Sequence, residues 1–312
     1  MRFIILTSII LISSQKAFSF SDDHYGRPPP PHHFNNNYSD EPLPDNAVTI
    51  TTDSNYRYIK SNGIPDHKTG DFPNNNNPNS IAAQEFSFQV SLKPRISNAP
   101  IQNGLSPFGI ALNGVLLDPA AAEFWNNDFD SGWNYAALSG KLDLGFDYQN
   151  AHVQPGGTYH YHGISKAMTK NLDNNKHSPL IGYAADGFPI YATYGEINGE
   201  IKKLTSSYRL KPGNRSSGPG GKHDGTFVED YEYVKGSGNL DQCNGRIGNT
   251  PEYPESTYYY VLTANFPNIP RCFMAKPDKS FSRDAMHRNG PPNMGGQRHS
   301  NGRPPPRRHR DW

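Results

Sequence analysis

Glycine and proline occur throughout this chain, and their number limits its fold more than any other feature. There are 29 glycines and 28 prolines among 312 residues, and both residue types interrupt helices and strands. The 18 tyrosines and 16 phenylalanines supply much of the area that a core can bury. This composition excludes a coiled coil, a polytopic membrane protein and an all-α bundle. We therefore predict a mainly β fold: a single loop-rich antiparallel β domain, sandwich- or barrel-like, with one or two short helices and disordered termini.

The first 19 residues have the form of a secretory signal peptide. Arg2 supplies the positive start, residues 3–12 form a mostly apolar run, and Ala17 and Ser19 are the small residues expected before a cleavage site. A run of ten residues spans about 15 Å as a helix, against about 30 Å of membrane hydrocarbon. We therefore predict cleavage after Ser19 rather than a membrane anchor. The mature protein is then secreted or periplasmic, with no transmembrane segment.

Cys243 and Cys272 are the only cysteines. In an extracytoplasmic protein, two cysteines predict one disulfide, which here closes a loop of about 30 residues. A pair of buried free thiols is the alternative.

Composition divides the rest of the chain into three parts. Residues 20–46 are rich in Pro, Asn and His, and residues 283–312 contain seven arginines and two aspartates, so both segments are too polar to bury a core. We predict that both are disordered and that residues 47–282 form the folded β domain. The net charge of the whole chain is only +1, which argues against nucleic-acid binding. The basic tail is expected to be solvated, with contact to an anionic polymer as the alternative.

Short apolar and alternating segments predict individual elements of the domain. Strands are expected at residues 48–52, 56–59, 86–90 and 258–263. Asn113-Gly114 between two apolar segments predicts a hairpin, since this pair tolerates two positive φ angles. Asp118 as N-cap and Pro119 at the first helical position predict a short helix over residues 119–125.

The segment from His152 to His162 carries the strongest functional signal. Side chains at positions i and i+2 of a strand point the same way, so His160 and His162 share one face and Tyr159 and Tyr161 share the other. Two imidazoles at this separation can both reach one divalent ion at about 2.0–2.1 Å.

The turn before these residues decides whether His152 joins the same face. A two-residue loop of Gly156 and Gly157 would place His152 on the tyrosine face, because a one-residue slip exchanges the faces of a strand. A three-residue loop that begins at Pro155 pairs His152 with His160, and a glycine at its last position suits such a bulged hairpin. A histidine-rich sheet face without metal is the alternative. We predict a metal site formed by His152, His160 and His162.

Other groups could complete this site or act in catalysis. Asp143 and Asp147 precede the hairpin, and His177 and Asp186 follow it. Asp186 is a candidate general base or fourth ligand, and His177 is a second candidate for handling protons. Zinc, copper or mononuclear iron would suit three imidazoles. A blue-copper site needs a thiolate, and both cysteines are already assigned to the disulfide.

Tyr159-His160-Tyr161-His162 is the motif that gives the YHYH domain family its name, and the chain resembles this family over residues 85–280. The other strings similar to the family pattern are Leu112-Asn-Gly-Val115, the segment His177 to Tyr191, Leu240-Asp-Gln-Cys-Asn-Gly-Arg246, the segment Ser256 to Thr263, and Pro267-Asn-Ile-Pro-Arg-Cys272. The family consists of exported proteins of undetermined function. The resemblance therefore implies export but neither an activity nor a cofactor.

Together these features predict an exported protein whose histidine hairpin binds a divalent transition metal. As a metal-dependent enzyme of the cell envelope, it would use the ion as a Lewis acid or to activate water. Its substrate would be a small molecule or a cell-envelope polymer. The alternative is a non-catalytic carbohydrate- or surface-binding module in which the histidine cluster is structural.

Overall fold

The computed structural model describes residues 42–283 and 285–286. The predicted signal peptide and nearly all of the two segments predicted to be disordered lie outside these residues. The strands are β1 Val48–Thr52, β2 Tyr56–Ser61, β3 Phe86–Ser91, β4 Ile101–Gln102, β5 Gly109–Ala111, β6 Leu116–Leu117, β7 Ala151–Val153, β8 Tyr159–Tyr161, β9 Leu180–Ala184, β10 Pro189–Tyr191, β11 Tyr194–Ile197, β12 Glu200–Lys203, β13 Tyr208–Leu210, β14 Tyr231–Tyr233, β15 Gly245–Thr250, β16 Tyr253–Val261 and β17 Cys272–Phe273. Short 3-10 helices cover Trp125–Asn127, Phe129–Ser131, Val228–Asp230 and Lys279–Phe281.

An eight-stranded sheet is the largest element, with the strand order β15-β16-β10-β9-β5-β6-β8-β7. It is open rather than closed into a barrel, with β15 and β7 at its edges. A second sheet has the order β1-β2-β3, and the pairs β11-β12, β13-β14 and β17-β4 form small two-stranded sheets. Only β6-β8 and β10-β16 pair in parallel among these described strands. The prediction of a mainly β, loop-rich and largely antiparallel domain is confirmed.

Aromatic side chains fill the core, as the composition predicts. Phe108 stacks on Phe273 with ring centroids 4.9 Å apart, and Tyr260 meets Phe108 edge-on at 4.8 Å. The largest fully buried side chains include Tyr159, Tyr161, Tyr191, Tyr259 and Tyr260. Each buried ring removes a large apolar area from water, which compensates for the modest share of aliphatic residues.

The predicted hairpin at Asn113-Gly114 is present as β5 and β6, but its turn differs from the expected type. The Gly114 amide donates to the Ala111 carbonyl at 2.8 Å, and only Gly114 of the expected pair has a positive φ, 79°. The side chain of Asn113 explains the difference, because its Nδ2 donates to Tyr161 Oη at 3.0 Å and is thereby held against β8.

The prediction of a helix over residues 119–125 is wrong. The Asp118 carboxylate does accept a hydrogen bond from the Ala120 amide at 2.9 Å, but the chain continues without helical turns. Asn134 explains this, since its Nδ2 donates to the carbonyls of Ala121 and Glu123, both at 2.9 Å. The carbonyl of Ala121 is one that a helix over residues 119–125 would need for its own hydrogen bonds.

Cys243 and Cys272 form the predicted disulfide, with Cα atoms 5.1 Å apart. The bond closes a separation of 29 residues, for which loop-closure entropy gives about 3 kcal/mol of stabilisation. The disulfide is consistent with an extracytoplasmic location. None of the helices in the described part of the chain has the length and apolarity needed to cross a membrane.

Candidate metal centre

The hairpin of β7 and β8 lies at one edge of the eight-stranded sheet and turns through three residues. The amide of Gln154 donates to the Thr158 carbonyl at 3.0 Å, and the amide of Gly157 donates back to the Gln154 carbonyl at 2.9 Å. Gly156 and Gly157 have φ angles of 101° and 87°, a region that other residues rarely adopt. The prediction of a three-residue loop is confirmed.

This register brings three histidines to one face of the hairpin. His152 is the cross-strand partner of His160, and His162 lies one pleat beyond His160. The amide of His162 donates to the Asn150 carbonyl at 2.8 Å, which extends the hairpin pairing past the end of β8.

The two tyrosines of the motif anchor the opposite face. Tyr159 Oη donates to Asp147 Oδ2 at 2.7 Å. Tyr161 Oη lies 2.5 Å from His67 Nε2 and accepts from Asn113 Nδ2 at 3.0 Å. Because tyrosine and histidine alternate, these hydrogen bonds set the orientation of the strand and thereby that of its histidines.

The three Nε2 atoms form a nearly equilateral triangle. The distance is 3.1 Å from His152 to His160, 3.1 Å from His152 to His162 and 2.9 Å from His160 to His162. Nδ1 of His152 lies 2.9 Å from the Leu144 carbonyl, and Nδ1 of His160 lies 3.2 Å from the Thr158 carbonyl. A carbonyl oxygen only accepts, so both Nδ1 atoms carry the proton and both Nε2 atoms carry a lone pair.

Lone pairs that face each other at this distance repel. A proton on His162 Nε2, or a cation bound by all three nitrogens, would relieve the repulsion. Nδ1 of His162 is buried without a hydrogen-bond partner, so no carbonyl fixes the tautomer of this ring as it does for the other two. An ion at about 2.0–2.1 Å from each nitrogen uses all three lone pairs at once.

Burial keeps the three imidazoles uncharged. His160 is 1% exposed and His162 is 3% exposed, while His152 is half-buried. Loss of solvation lowers the pKa of all three, that of His160 to about 3 with a further contribution from His152, and that of His162 well below its ordinary value. Neutral imidazoles need not release a proton to bind a metal.

No fourth side chain completes the cluster within the described range. Among the described His, Cys, Asp and Glu residues, only these three histidines form a group of three or more that could hold a metal ion. Their ligand atoms all lie within 4.8 Å of one another. The ring of Phe146 covers one flank, at 4.7 Å from the ring of His152 and 5.1 Å from that of His162. The arrangement therefore offers three protein ligands for one ion.

An asparagine-rich turn supports the residues that orient His152. Asn77, 4% exposed, donates from Nδ2 to the Val153 carbonyl at 2.9 Å, and Asn74 donates to the Gly145 carbonyl at 3.0 Å. Gly145 has a φ of 68°, and a Cβ there would lie 2.7 Å from the Asn77 amide nitrogen. Sequence reasoning missed this support, although short amide side chains that bond to backbone groups are its signal.

The other sequence candidates lie elsewhere. Asp147 holds Tyr159 on the opposite face, and Asp143 accepts from the Gly145 amide at 2.9 Å. His177 packs edge-on against Tyr191 with ring centroids 4.8 Å apart. Asp186 accepts from Tyr260 Oη at 2.6 Å and from the Ala275 amide at 3.0 Å. None of these residues belongs to the histidine cluster. Catalytic roles for His177 and Asp186 stay predictions.

Asp118 is a polar neighbour that sequence reasoning assigned only to a helix cap. Its amide donates to the Tyr161 carbonyl at 2.9 Å, which continues the parallel pairing of β6 with β8 and places Asp118 on the face of His162. It is 2% exposed, and burial raises the pKa of its carboxyl to about 6. Arg271 lies nearby and donates to the Pro119 carbonyl.

Comparison with known proteins agrees with the motif. A family model described as YHYH protein matches residues 87–275, which is more than half of the chain and includes the hairpin and both cysteines. No curated protein and no solved structure matches the chain. The resemblance drawn from the sequence motifs is thus confirmed, and the chain belongs to the YHYH protein family.

Proposed function

We propose that His152, His160 and His162 bind one divalent transition-metal ion, zinc or copper, through their Nε2 atoms. The observation that carries the proposal is the triangle of three buried nitrogens 2.9–3.1 Å apart. At least two of these nitrogens hold a lone pair because their rings donate from Nδ1 to carbonyls. Carbonyl partners on the far side of metal-binding imidazoles are the usual arrangement in metalloproteins.

Three ligands and an open position are typical of catalytic rather than structural zinc sites. An ion held there would act as a Lewis acid or lower the pKa of a bound water. Asp118 lies outside the cluster, as His177 and Asp186 do, but its amide pairs with the Tyr161 carbonyl at the end of β8, and it is our candidate for exchanging protons. We propose a metal-dependent enzyme of the cell envelope that acts on a small molecule or an envelope polymer.

Export is part of this proposal and is supported by the disulfide between Cys243 and Cys272. N-terminal sequencing of the mature protein should find Phe20 as the first residue or one close to it. A mature chain that still begins at Met1 would contradict export by a cleaved signal.

The alternative of a carbohydrate- or surface-binding module with a structural histidine cluster finds no support in the two tyrosines of the hairpin. Tyr159 and Tyr161 are both 0% exposed, so neither ring presents a face on which a sugar could stack.

Elemental analysis tests the metal proposal. Full-length protein isolated from its native host without chelator should contain close to one equivalent of zinc or copper. His160→Ala should lose that metal, whereas His177→Ala, a partly buried histidine outside the cluster, should keep it. Equal metal content in wild type and His160→Ala, or none in wild type even after exposure to zinc and to copper, would contradict the proposal.

A further inference from the structure

We propose that a second site, separate from the histidine cluster, binds an acidic saccharide through its carboxylate groups. The site is a cavity of about 430 Å³ that is open to solvent, between the end of β3, the β9–β10 turn and the segment before the last 3-10 helix. A volume of this size suits a ligand of one or two sugar rings.

Four basic side chains line this cavity. Lys93 and Arg95 follow β3, and Lys276 and Lys279 lie on the segment after β17. All four are exposed, and none takes part in an ion pair with another described residue. Cations that are gathered around one cavity without acidic partners attract anions, and arginine in particular matches the geometry of a carboxylate.

Two acidic residues also line the cavity, and at least one oxygen of each accepts a hydrogen bond within the protein. Asp186 is 1% exposed and accepts from Tyr260 Oη and the Ala275 amide. Asp278 accepts from the Ser280 amide at 2.8 Å and caps the last 3-10 helix. Neither carboxylate forms an ion pair with any of the four cations, which stay available to a ligand.

An aromatic ring beside the cations favours a saccharide over a simple inorganic anion. Tyr56 lines the same cavity and is 38% exposed, whereas most large aromatic rings of the domain are buried. The apolar face of a sugar ring can pack on such a side chain while its hydroxyl and carboxylate groups contact the polar rim.

The charge distribution argues against a nucleic acid as the ligand. The chain before residue 283 carries 23 basic and 27 acidic residues, so the four cations are a local exception on an acidic domain.

Affinity electrophoresis of the full-length protein in gels that contain polygalacturonate tests the proposal. Mobility should be retarded relative to gels that contain neutral dextran, and 0.5 M salt should remove the retardation, because exposed charges are screened. A variant in which glutamine replaces all four basic residues, K93Q/R95Q/K276Q/K279Q, should bind at least about tenfold more weakly. Tyr56→Ala should weaken it with no change in net charge.

A matched control carries the same loss of charge elsewhere. The variant K170Q/K203Q/K222Q/K235Q removes four exposed lysines that lie outside the cavity, and it should bind within about twofold of wild type. If both quadruple variants weaken binding equally, overall charge explains the binding and the proposed site is wrong. Duplex DNA that binds as tightly as polygalacturonate, or loss of binding only on removal of residues 287–312, would overturn it as well. The metal content should stay unchanged in every variant. A failure of saccharide binding can therefore be told apart from a failure of metal binding at the histidine cluster.

Discussion

The buried imidazoles should make the metal-free protein sensitive to acid. His160 is 1% exposed and its pKa lies at about 3, against 6.5 for an unperturbed histidine, chiefly because burial disfavours its charged form. Between these two values the unfolded chain holds a proton at this position and the folded chain does not. Stability is therefore fully present above pH 6.5 and falls as the pH is lowered toward 3.

The size of the effect follows from the same pKa values. At 1.36 kcal/mol per pH unit below 6.5, lowering the pH from 7.5 to 4.5 should cost about 3 kcal/mol at His160 alone. His162 adds to the loss in the same direction, because its pKa is also lowered by burial.

Urea unfolding of chelator-treated protein at pH 7.5 and pH 4.5 measures this difference. His160→Gln removes one titrating group, so its loss of unfolding free energy between the two pH values should be smaller than that of wild type by about 3 kcal/mol. Val115→Ala is the control, since a buried aliphatic side chain, 0% exposed, does not titrate. Its stability should fall by a similar amount at both pH values. An undiminished pH dependence in His160→Gln would refute the reasoning.

Three further perturbations test the structure around the site. Tyr159→Phe removes the 2.7 Å hydrogen bond to Asp147 and should lower the unfolding free energy by about 1.5–3 kcal/mol, measured by urea denaturation, because the acceptor is a carboxylate; no loss would mean that this contact does not anchor the hairpin. Asn77→Ala removes the buried amide that supports the hairpin and should weaken zinc binding in a chelator-competition titration; unchanged affinity would show that the turn does not position the ligands. Denatured but unreduced protein should show no reactive thiol, and reduction of Cys243–Cys272 should cost about 3 kcal/mol; two reactive thiols without reductant would contradict the disulfide.

Local signals in the sequence were sufficient to predict the histidine face. The i, i+2 spacing of His160 and His162 reflects the two-residue period of a strand. The loop that starts at Pro155 sets the register that adds His152. These features depend only on neighbouring residues, and the structure agrees with each of them.

Contacts between distant parts of the chain could not be predicted in the same way. The helix expected after Asp118 does not form, because Asn134 binds the carbonyls of residues 121 and 123 from more than ten positions away. The approach of Asp118 to the histidine face depends on the parallel pairing of β6 with β8, strands more than forty residues apart in sequence. Propensity and capping rules contain no information on either contact.

The central claim is that His152, His160 and His162 jointly hold one ion. Anomalous diffraction from crystals of the natively isolated protein, recorded on both sides of the zinc and copper absorption edges, measures this most directly. The account predicts a single strong anomalous peak about 2.0–2.1 Å from the three Nε2 atoms, at an edge that identifies the metal. Three histidine rings with no anomalous density between them, in protein that elemental analysis shows to contain the metal, would contradict it.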